Sequence, residues 1–185
     1  MWMMRKNGMC FKKICLSSVL AAVCGLVASC INDEQPAGGA ELRVGDVQPV
    51  FRVVLSDSTL YDSSVRDGRV VVLTFFNTSC NDCRRELPVL QRVCDAYRED
   101  DAMRFVCISR EEDEASVAAF WQQNSLTLPY SAQTDRRIYN LFASSAIPRT
   151  YIIDKKGILR FIYTDDPLAT EAQLLAAVRT LRTDE

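Results

Sequence analysis

One stretch constrains this chain most, because a buried strand runs directly into a helix that carries two cysteines. Residues 70–76 are a continuous run of β-branched, aliphatic and aromatic side chains, typical of a strand buried on both faces. The mostly polar residues 77–82 suit a turn and a helix start, and apolar side chains then recur at helical spacing from Leu87 to Tyr97. The pattern predicts Cys80 at the corner between strand and helix, with Cys83 one turn further along.

These positions predict thiol chemistry. A helix N-terminus presents unpaired N–H groups and the positive end of the helix dipole, and both favour a thiolate. The three-residue offset lets the two sulfur atoms approach and close a small disulfide, with Cys80 as the exposed nucleophile and Cys83 as the resolving thiol. A C-x-x-C pair can also be half of a zinc site or an inert structural disulfide, although the chain has no histidine and no second C-x-x-C.

Composition and charge argue against several other classes of protein. With 185 residues, 48% of them hydrophobic, the chain is expected to form one compact domain plus a short appendage. Its formal net charge of −2 gives no electrostatic support for nucleic-acid binding. The lack of histidine removes Ser-His-Asp and Cys-His catalysis, histidine-ligated metals and a C-x-x-C-H haem attachment. We therefore predict no metal and no cofactor.

The N-terminal residues 1–30 are predicted to be an export signal. Lysine and arginine at positions 5, 6, 12 and 13 precede an apolar segment at 14–28, which is short for a membrane span. The segment ends in Val27-Ala28-Ser29-Cys30, which resembles a bacterial lipobox, where Cys30 would be lipidated and become the first residue after cleavage. An uncleaved anchor helix and an ordinary secretory signal are the alternatives. Residues 31–43 read as a flexible linker, and residues 44–185 as the folded domain.

Strand and helix patterns alternate through most of this domain. After the central strand and its helix, we predict a buried strand, an apolar helical stripe and a short helix, at 103–109, 117–121 and 138–142. A turn at 146–148 leads into a strand, a hairpin and a last strand, and Thr170 with Gln173 resembles a capping box that opens a final helix. The pattern indicates an α/β domain with a mixed central sheet and helices on both faces.

This order of elements resembles the thioredoxin fold, and within it the membrane-tethered TlpA/ResA-like thiol–disulfide oxidoreductases of the redoxin (AhpC/TSA-like) superfamily. The resemblance covers about residues 44–181 and rests on three motifs. They are Val44-Gly45-Asp46 with Pro49 and Phe51, the stretch 75–88 around the two cysteines, and Ile147-Pro148-Arg149-Thr150 followed by Asp154 and Gly157. The fold expected is a thioredoxin-like α/β fold with an N-terminal β-hairpin extension.

The resemblance implies roles for four residues. Cys80 would be the nucleophile and Cys83 the resolving cysteine of a redox-active disulfide. Pro148 would be the cis-proline that faces this disulfide and presents backbone for a strand-like grip on substrate. Glu86 matches an acidic residue that family members use near the buried cysteine, although an exposed helical glutamate is the commoner case.

The sequence also departs from the family pattern. Ser79 stands where the family usually has tryptophan, Asn81-Asp82 replaces the usual Gly-Pro or Glu-Pro pair, and Thr74 takes the place of thioredoxin's buried aspartate. These changes leave dithiol chemistry in place but affect potential and substrate. Cys94 and Cys107 are interpreted as buried, unpaired small hydrophobes, with a second disulfide or a resolving role as the alternative.

The function expected is a thiol–disulfide oxidoreductase that reduces protein disulfides in the cell envelope. A lipid anchor would hold it at a membrane, on the periplasmic or outer-membrane side, and an envelope thiol donor would supply electrons. A peroxiredoxin-like thiol peroxidase is the enzymatic alternative, since that family shares the fold. A non-catalytic surface lipoprotein that uses the thioredoxin fold as a scaffold is the third.

Overall fold

The computed structural model describes residues 39–183. The predicted signal segment 1–30, the lipidation site Cys30 and the first part of the predicted linker, residues 31–38, lie outside these described residues. Across 39–183, no helix is both long and apolar enough to cross a lipid bilayer.

The described chain contains seven strands and four helices. In chain order they are β1 Arg52–Val54, β2 Leu60–Asp62, β3 Val70–Phe76, α1 Asn81–Ala96, β4 Met103–Ser109, α2 Glu114–Gln123, β5 Tyr130–Ser131, α3 Arg137–Asn140, β6 Arg149–Ile153, β7 Leu159–Tyr163 and α4 Glu171–Thr183. Five strands form one sheet in the order β5-β4-β3-β6-β7. β3 pairs parallel with β4 and antiparallel with β6, so the predicted mixed central sheet is confirmed.

The central position of β3 follows from its composition. All seven of its residues are buried, because helices or loops cover both faces of the strand and neighbouring strands flank both edges. Its alternate side chains fall into two apolar clusters, one on each face of the sheet. Helices α1, α2 and α4 pack on one face, and α3 packs on the other, so the prediction of helices on both faces is confirmed.

The predicted N-terminal hairpin is also present. β1 and β2 pair antiparallel in a separate two-stranded sheet. Phe51, just before β1, lies with its ring 5.5 Å from the ring of Tyr61 and 5.7 Å from that of Phe142, measured between centroids. These aromatic contacts bury the hairpin against the α3 side of the central sheet.

The final helix begins as its sequence predicts. The backbone N–H of Gln173 donates to the Thr170 hydroxyl at 3.3 Å, and the Thr170 N–H donates to the Gln173 side-chain oxygen at 2.9 Å. This reciprocal pair is a capping box, which satisfies N–H groups that the first helical turn leaves unpaired.

The end of the predicted linker is part of the folded domain. The Ala40 N–H donates to the carbonyl of Asn140 at 2.7 Å, and the Leu42 N–H donates to that of Phe142 at 3.0 Å. Between them, the Glu41 carboxylate pairs with the buried guanidinium of Arg149, the residue after Pro148. The folded domain therefore begins before residue 44, because these residues add backbone and charge contacts that the local sequence does not signal.

Candidate active site

Asn77 builds the corner that carries the first cysteine. Its side-chain oxygen accepts the backbone N–H of Ser79 at 2.9 Å, and its amide donates to the carbonyl of Arg110 at 3.0 Å. Its own backbone carbonyl accepts the N–H of Cys80 at 3.0 Å. The corner is thus fixed to the residue that follows β4, and it places Cys80 at the N-cap of α1.

The two cysteine side chains meet at the start of α1. The backbone N–H of Cys83 donates to the sulfur of Cys80 at 3.3 Å, so Cys80 caps the helix through its sulfur. Cys80 is partly exposed, whereas Cys83 has no exposed surface. Both are free thiols in this structure. The arrangement leaves one sulfur within reach of a substrate and the other beneath it.

The loop before β6 closes the site from the other side. The thiol of Cys80 donates to the backbone carbonyl of Ile147, with sulfur and oxygen 3.5 Å apart. The peptide bond between Ile147 and Pro148 is cis. The structure therefore brings Pro148 and the dithiol together, although they lie more than sixty residues apart in the sequence.

A buried carboxyl lies under the same helix. Glu86 is only 1% exposed, and the Thr150 hydroxyl on β6 lies 3.3 Å from both of its carboxyl oxygens. The Thr150 oxygen is in turn 2.8 Å from the hydroxyl of Thr74 on β3. Glu86 therefore faces the sheet beside the Thr74–Thr150 pair.

Burial sets the electrostatics of this group of side chains. It raises the pKa of Glu86 to about 8, against the weaker opposing effect of the Thr150 hydrogen bond. Burial also raises the pKa of Cys83 well above the ordinary thiol range, and the neighbouring Cys80 and Glu86 add to that rise. Buried Cys83 and Glu86 thus both favour their protonated forms, one helical turn apart.

Two of the departures from the family pattern, Ser79 and Asn81-Asp82, lie at the surface of the site, whereas Thr74 is buried in β3. Asp82 pairs with Arg85 at 3.1 Å on the exposed face of α1. Arg84 lies over the ring of Phe120, 5.7 Å from its centroid. Ser79 is exposed and contributes no apolar cover beside Cys80. The charges next to the C-x-x-C pair are therefore largely engaged with each other or with α2.

The loop after β4 contributes a contact that sequence reasoning missed. The carboxylate of Glu112 accepts the backbone N–H of Thr78 at 3.0 Å and also the Thr78 hydroxyl. It holds the residue two positions before Cys80. The charged run at 110–114 marks a loop in the sequence, but no local pattern pairs it with a residue 34 positions away.

The two remaining cysteines of the domain are not part of the C-x-x-C pair. Cys107 is buried on β4, opposite Thr74 in the sheet, and Cys94 is half-buried on α1. Both are free thiols, and burial raises the pKa of Cys94 to about 11 and that of Cys107 further still. In residues 39–183 no three cysteine, aspartate or glutamate side chains are grouped so as to hold a metal ion.

Comparison with known proteins places this geometry in a family. The model of the AhpC/TSA family matches residues 44–162, nearly the whole sheet and the site. The chain belongs to the AhpC/TSA family. The matched segment includes all three sequence motifs, from Val44-Gly45-Asp46 to the Ile147-Pro148 loop with Asp154 and Gly157, and ends before residue 181, where the resemblance was expected to end.

Individual relatives of this AhpC/TSA chain are similar at low identity. The thiol-disulfide oxidoreductase ResA of Bacillus cereus is 25% identical over 154 residues, which cover 83% of this chain and 86% of the relative. ResA of Oceanobacillus iheyensis is 27% identical, covering 83% and 79%. A thiol:disulfide interchange protein of the thioredoxin family from Chlorobium tepidum superposes with a TM-score of 0.62 at 22% identity, covering 77% of this chain and 99% of that one. The predicted thioredoxin-like fold and thiol–disulfide oxidoreductase class are confirmed.

Proposed function

We propose that this protein is a membrane-tethered oxidoreductase that reduces protein disulfides through the Cys80–Cys83 dithiol. The observation that carries the proposal is the pairing of a partly exposed Cys80 sulfur, capped by the Cys83 N–H, with a fully buried Cys83 thiol. The resemblance to the ResA proteins supports the class of reaction.

Cys80 begins the reaction as a nucleophile. Negative charge on its sulfur lies at the helix N-terminus and receives the Cys83 N–H hydrogen bond, so a thiolate is well placed there. The thiolate attacks one sulfur of a substrate disulfide and forms a mixed disulfide, while the other substrate sulfur leaves as a thiolate and takes a proton from water. One substrate chain is then covalently held at Cys80.

Cys83 and Glu86 complete the reduction. In this step the Cys83 thiol passes its proton to Glu86 in the minority of molecules in which that carboxyl is ionised near neutral pH, and the Glu86 pKa of about 8 makes the carboxylate a better proton acceptor than an ordinary one. The Cys83 thiolate attacks the Cys80 sulfur, closes the Cys80–Cys83 disulfide and releases the second substrate sulfur as a thiolate. The dithiol has then lost two electrons to the substrate, and an envelope thiol donor restores it.

The loop at 146–148 provides the surface for a polypeptide substrate. It is already in contact with the Cys80 sulfur through the Ile147 carbonyl. An extended substrate segment could pair with this backbone in the manner of an added strand. Recognition would then depend mainly on backbone hydrogen bonds, so that different substrate side chains are accepted.

Trapping of the mixed disulfide tests this mechanism. The full chain with Cys83→Ser cannot resolve the intermediate, so we expect a covalent adduct with a model disulfide peptide at Cys80. The wild type and the matched control Cys94→Ser, which alters a thiol elsewhere on α1, should instead release reduced peptide. Failure of Cys83→Ser to form an adduct while it remains folded would contradict the proposal. If Cys80→Ser complemented the cellular phenotype as well as the wild type does, that result would instead favour the non-catalytic scaffold.

The membrane tether is a separate part of the proposal. It rests on the lipobox-like sequence that ends at Cys30, and it places the domain in the cell envelope, on the periplasmic or outer-membrane side. Labelling of cells with a fatty-acid analogue should mark the wild type and not Cys30→Ser. Equal labelling of both, or of neither, would remove the anchor from the proposal and leave the dithiol chemistry untouched.

A further inference from the structure

A second cavity lies at the end of the sheet away from the dithiol. It measures about 260 Å³ and is lined by the β1–β2 hairpin, the start of β3 and the turn between β6 and β7. Val71, in its wall, is near the first residue of β3, whereas Cys80 follows the last. A seven-residue strand spans about 20 Å, so the cavity is remote from the site described above.

The first cation of this cavity is Arg66. Its guanidinium donates to the backbone carbonyl of Ser63 and packs over Gly157 in the β6–β7 turn. A methyl group at position 157 would overlap the Nε of Arg66. Gly157, with its φ of +81°, therefore leaves the space that the guanidinium fills.

The second cation is Arg104, which projects from β4. Its Nη2 donates to the Thr59 hydroxyl at 2.8 Å, while its Nε is buried and has no hydrogen-bond partner. Burial raises the pKa of Tyr61 to about 12, and the positive charges of Arg66 and Arg104 both oppose that rise. The two guanidinium groups therefore act on the same wall of the cavity.

The acids in the cavity wall do not neutralise these two arginines. Each is paired with another arginine: Asp62 with Arg52 at 2.6 Å, Asp67 with Arg69 at 3.5 Å and Asp154 with Arg160 at 2.7 Å. Within residues 39–183, neither Arg66 nor Arg104 has a carboxylate at ion-pair distance. The cavity thus carries excess positive charge, which a bound anion would balance.

We propose that this cavity, between Arg66 and Arg104, is a binding site for a phosphate group. Two guanidinium groups offer planar pairs of N–H donors that match the oxygens of a phosphate, and such charge-assisted bonds are among the strongest in proteins. The volume accommodates one phosphate with a small substituent and no large ligand. The phosphate could come from a soluble phosphomonoester or from a lipid head group, since both present the same oxygens.

Calorimetric titration of the full chain with inorganic phosphate at low ionic strength tests the site. We expect saturable binding in the wild type, weakened at least tenfold by Arg66→Gln or Arg104→Gln, because each removes a charged donor pair. Arg137→Gln is the matched control: it alters an exposed arginine on α3 that neither lines the cavity nor pairs with an acid that does, and binding should change less than twofold. Thermal unfolding of each variant establishes that it is folded.

Sedimentation with phosphatidylcholine vesicles, with and without phosphatidate, separates the two sources. Phosphatidate-dependent sedimentation that Arg66→Gln abolishes would assign the site to a head group, and binding of soluble phosphate alone would assign it to a soluble ligand. The proposal would be overturned if the wild-type protein bound neither phosphate nor phosphatidate, or if Arg137→Gln weakened binding as much as Arg66→Gln did. Neither result bears on the dithiol, because the trapping of Cys80 adducts is measured independently.

Discussion

Replacement of Glu86 by glutamine tests the electrostatics of the buried carboxyl directly. The side chain is 1% exposed and its pKa is raised from the ordinary 4.5 to about 8, chiefly by burial. Between pH 4.5 and pH 8 the folded state therefore holds a proton that the unfolded chain has released. The raised pKa costs no stability below pH 4.5, and the free energy of unfolding decreases as the pH rises from 4.5 towards 8. Glutamine keeps the shape and the contact with Thr150 but cannot ionise.

The magnitude follows from the size of the pKa change. A fully ionised Glu86 costs the folded state about 5 kcal/mol, and the part of this cost that develops between pH 5 and pH 8 is about 3 kcal/mol. We therefore expect Glu86→Gln to gain about 3 kcal/mol of stability relative to the wild type over that interval. The variant should meanwhile resolve mixed disulfides more slowly, because the proton acceptor for Cys83 is lost.

Urea unfolding of the thiol-reduced protein at several pH values between 5 and 8 gives the measurement. Glu99→Gln, at an exposed carboxyl just beyond the end of α1, is the control and should show no comparable gain. A stability difference between Glu86→Gln and the wild type that stays constant from pH 5 to pH 8 would refute the reasoning. It would mean that Glu86 is hydrated or charge-compensated in solution.

Three further substitutions extend these expectations. Thr150→Val removes the hydroxyl that favours the ionised Glu86, so the pKa of Glu86 should rise above that of the wild type in a carbon-13 NMR titration; an unchanged pKa would contradict the contact. Leu90 is 1% exposed, so Leu90→Ala leaves a cavity in the core and should lower the free energy of unfolding, measured in urea, by about 2–5 kcal/mol. A loss below about 1 kcal/mol would argue against the packing of α1 on the sheet. Cys83→Ala should not sustain peroxide consumption, since it leaves Cys80 without its resolving thiol; continued turnover would revive the peroxidase alternative.

The sheet and its dithiol corner could be predicted because their signals are local. The continuous apolar run at 70–76 gives the central strand β3, and the helical recurrence after it gives α1. The burial of Glu86 had a signal too. With Cys83, Leu87 and Leu90 it occupies the stripe i, i+3, i+4 and i+7, and the helix buries that stripe.

Other features depend on contacts between distant parts of the chain. Thr78 contacts Glu112, which is 34 positions away in the sequence. Arg66 and Arg104, which line the same cavity, are 38 positions apart. No local sequence pattern predicts either pairing. Residues 40–42 read as linker in the sequence because the backbone hydrogen bonds that tie them to Asn140 and Phe142 do not depend on side-chain type. Such pairings are set by tertiary packing and leave little trace in composition.

The attachment of Cys80 to the central strand has a consequence for motion. β3 is hydrogen-bonded along both edges, so its amide protons should exchange with solvent only when the whole sheet opens. The dithiol is therefore held by the part of the domain that opens least. Adaptation to substrates of different shape must come from the two loops beside it, at 110–113 and 146–148, while the reacting sulfur keeps its position.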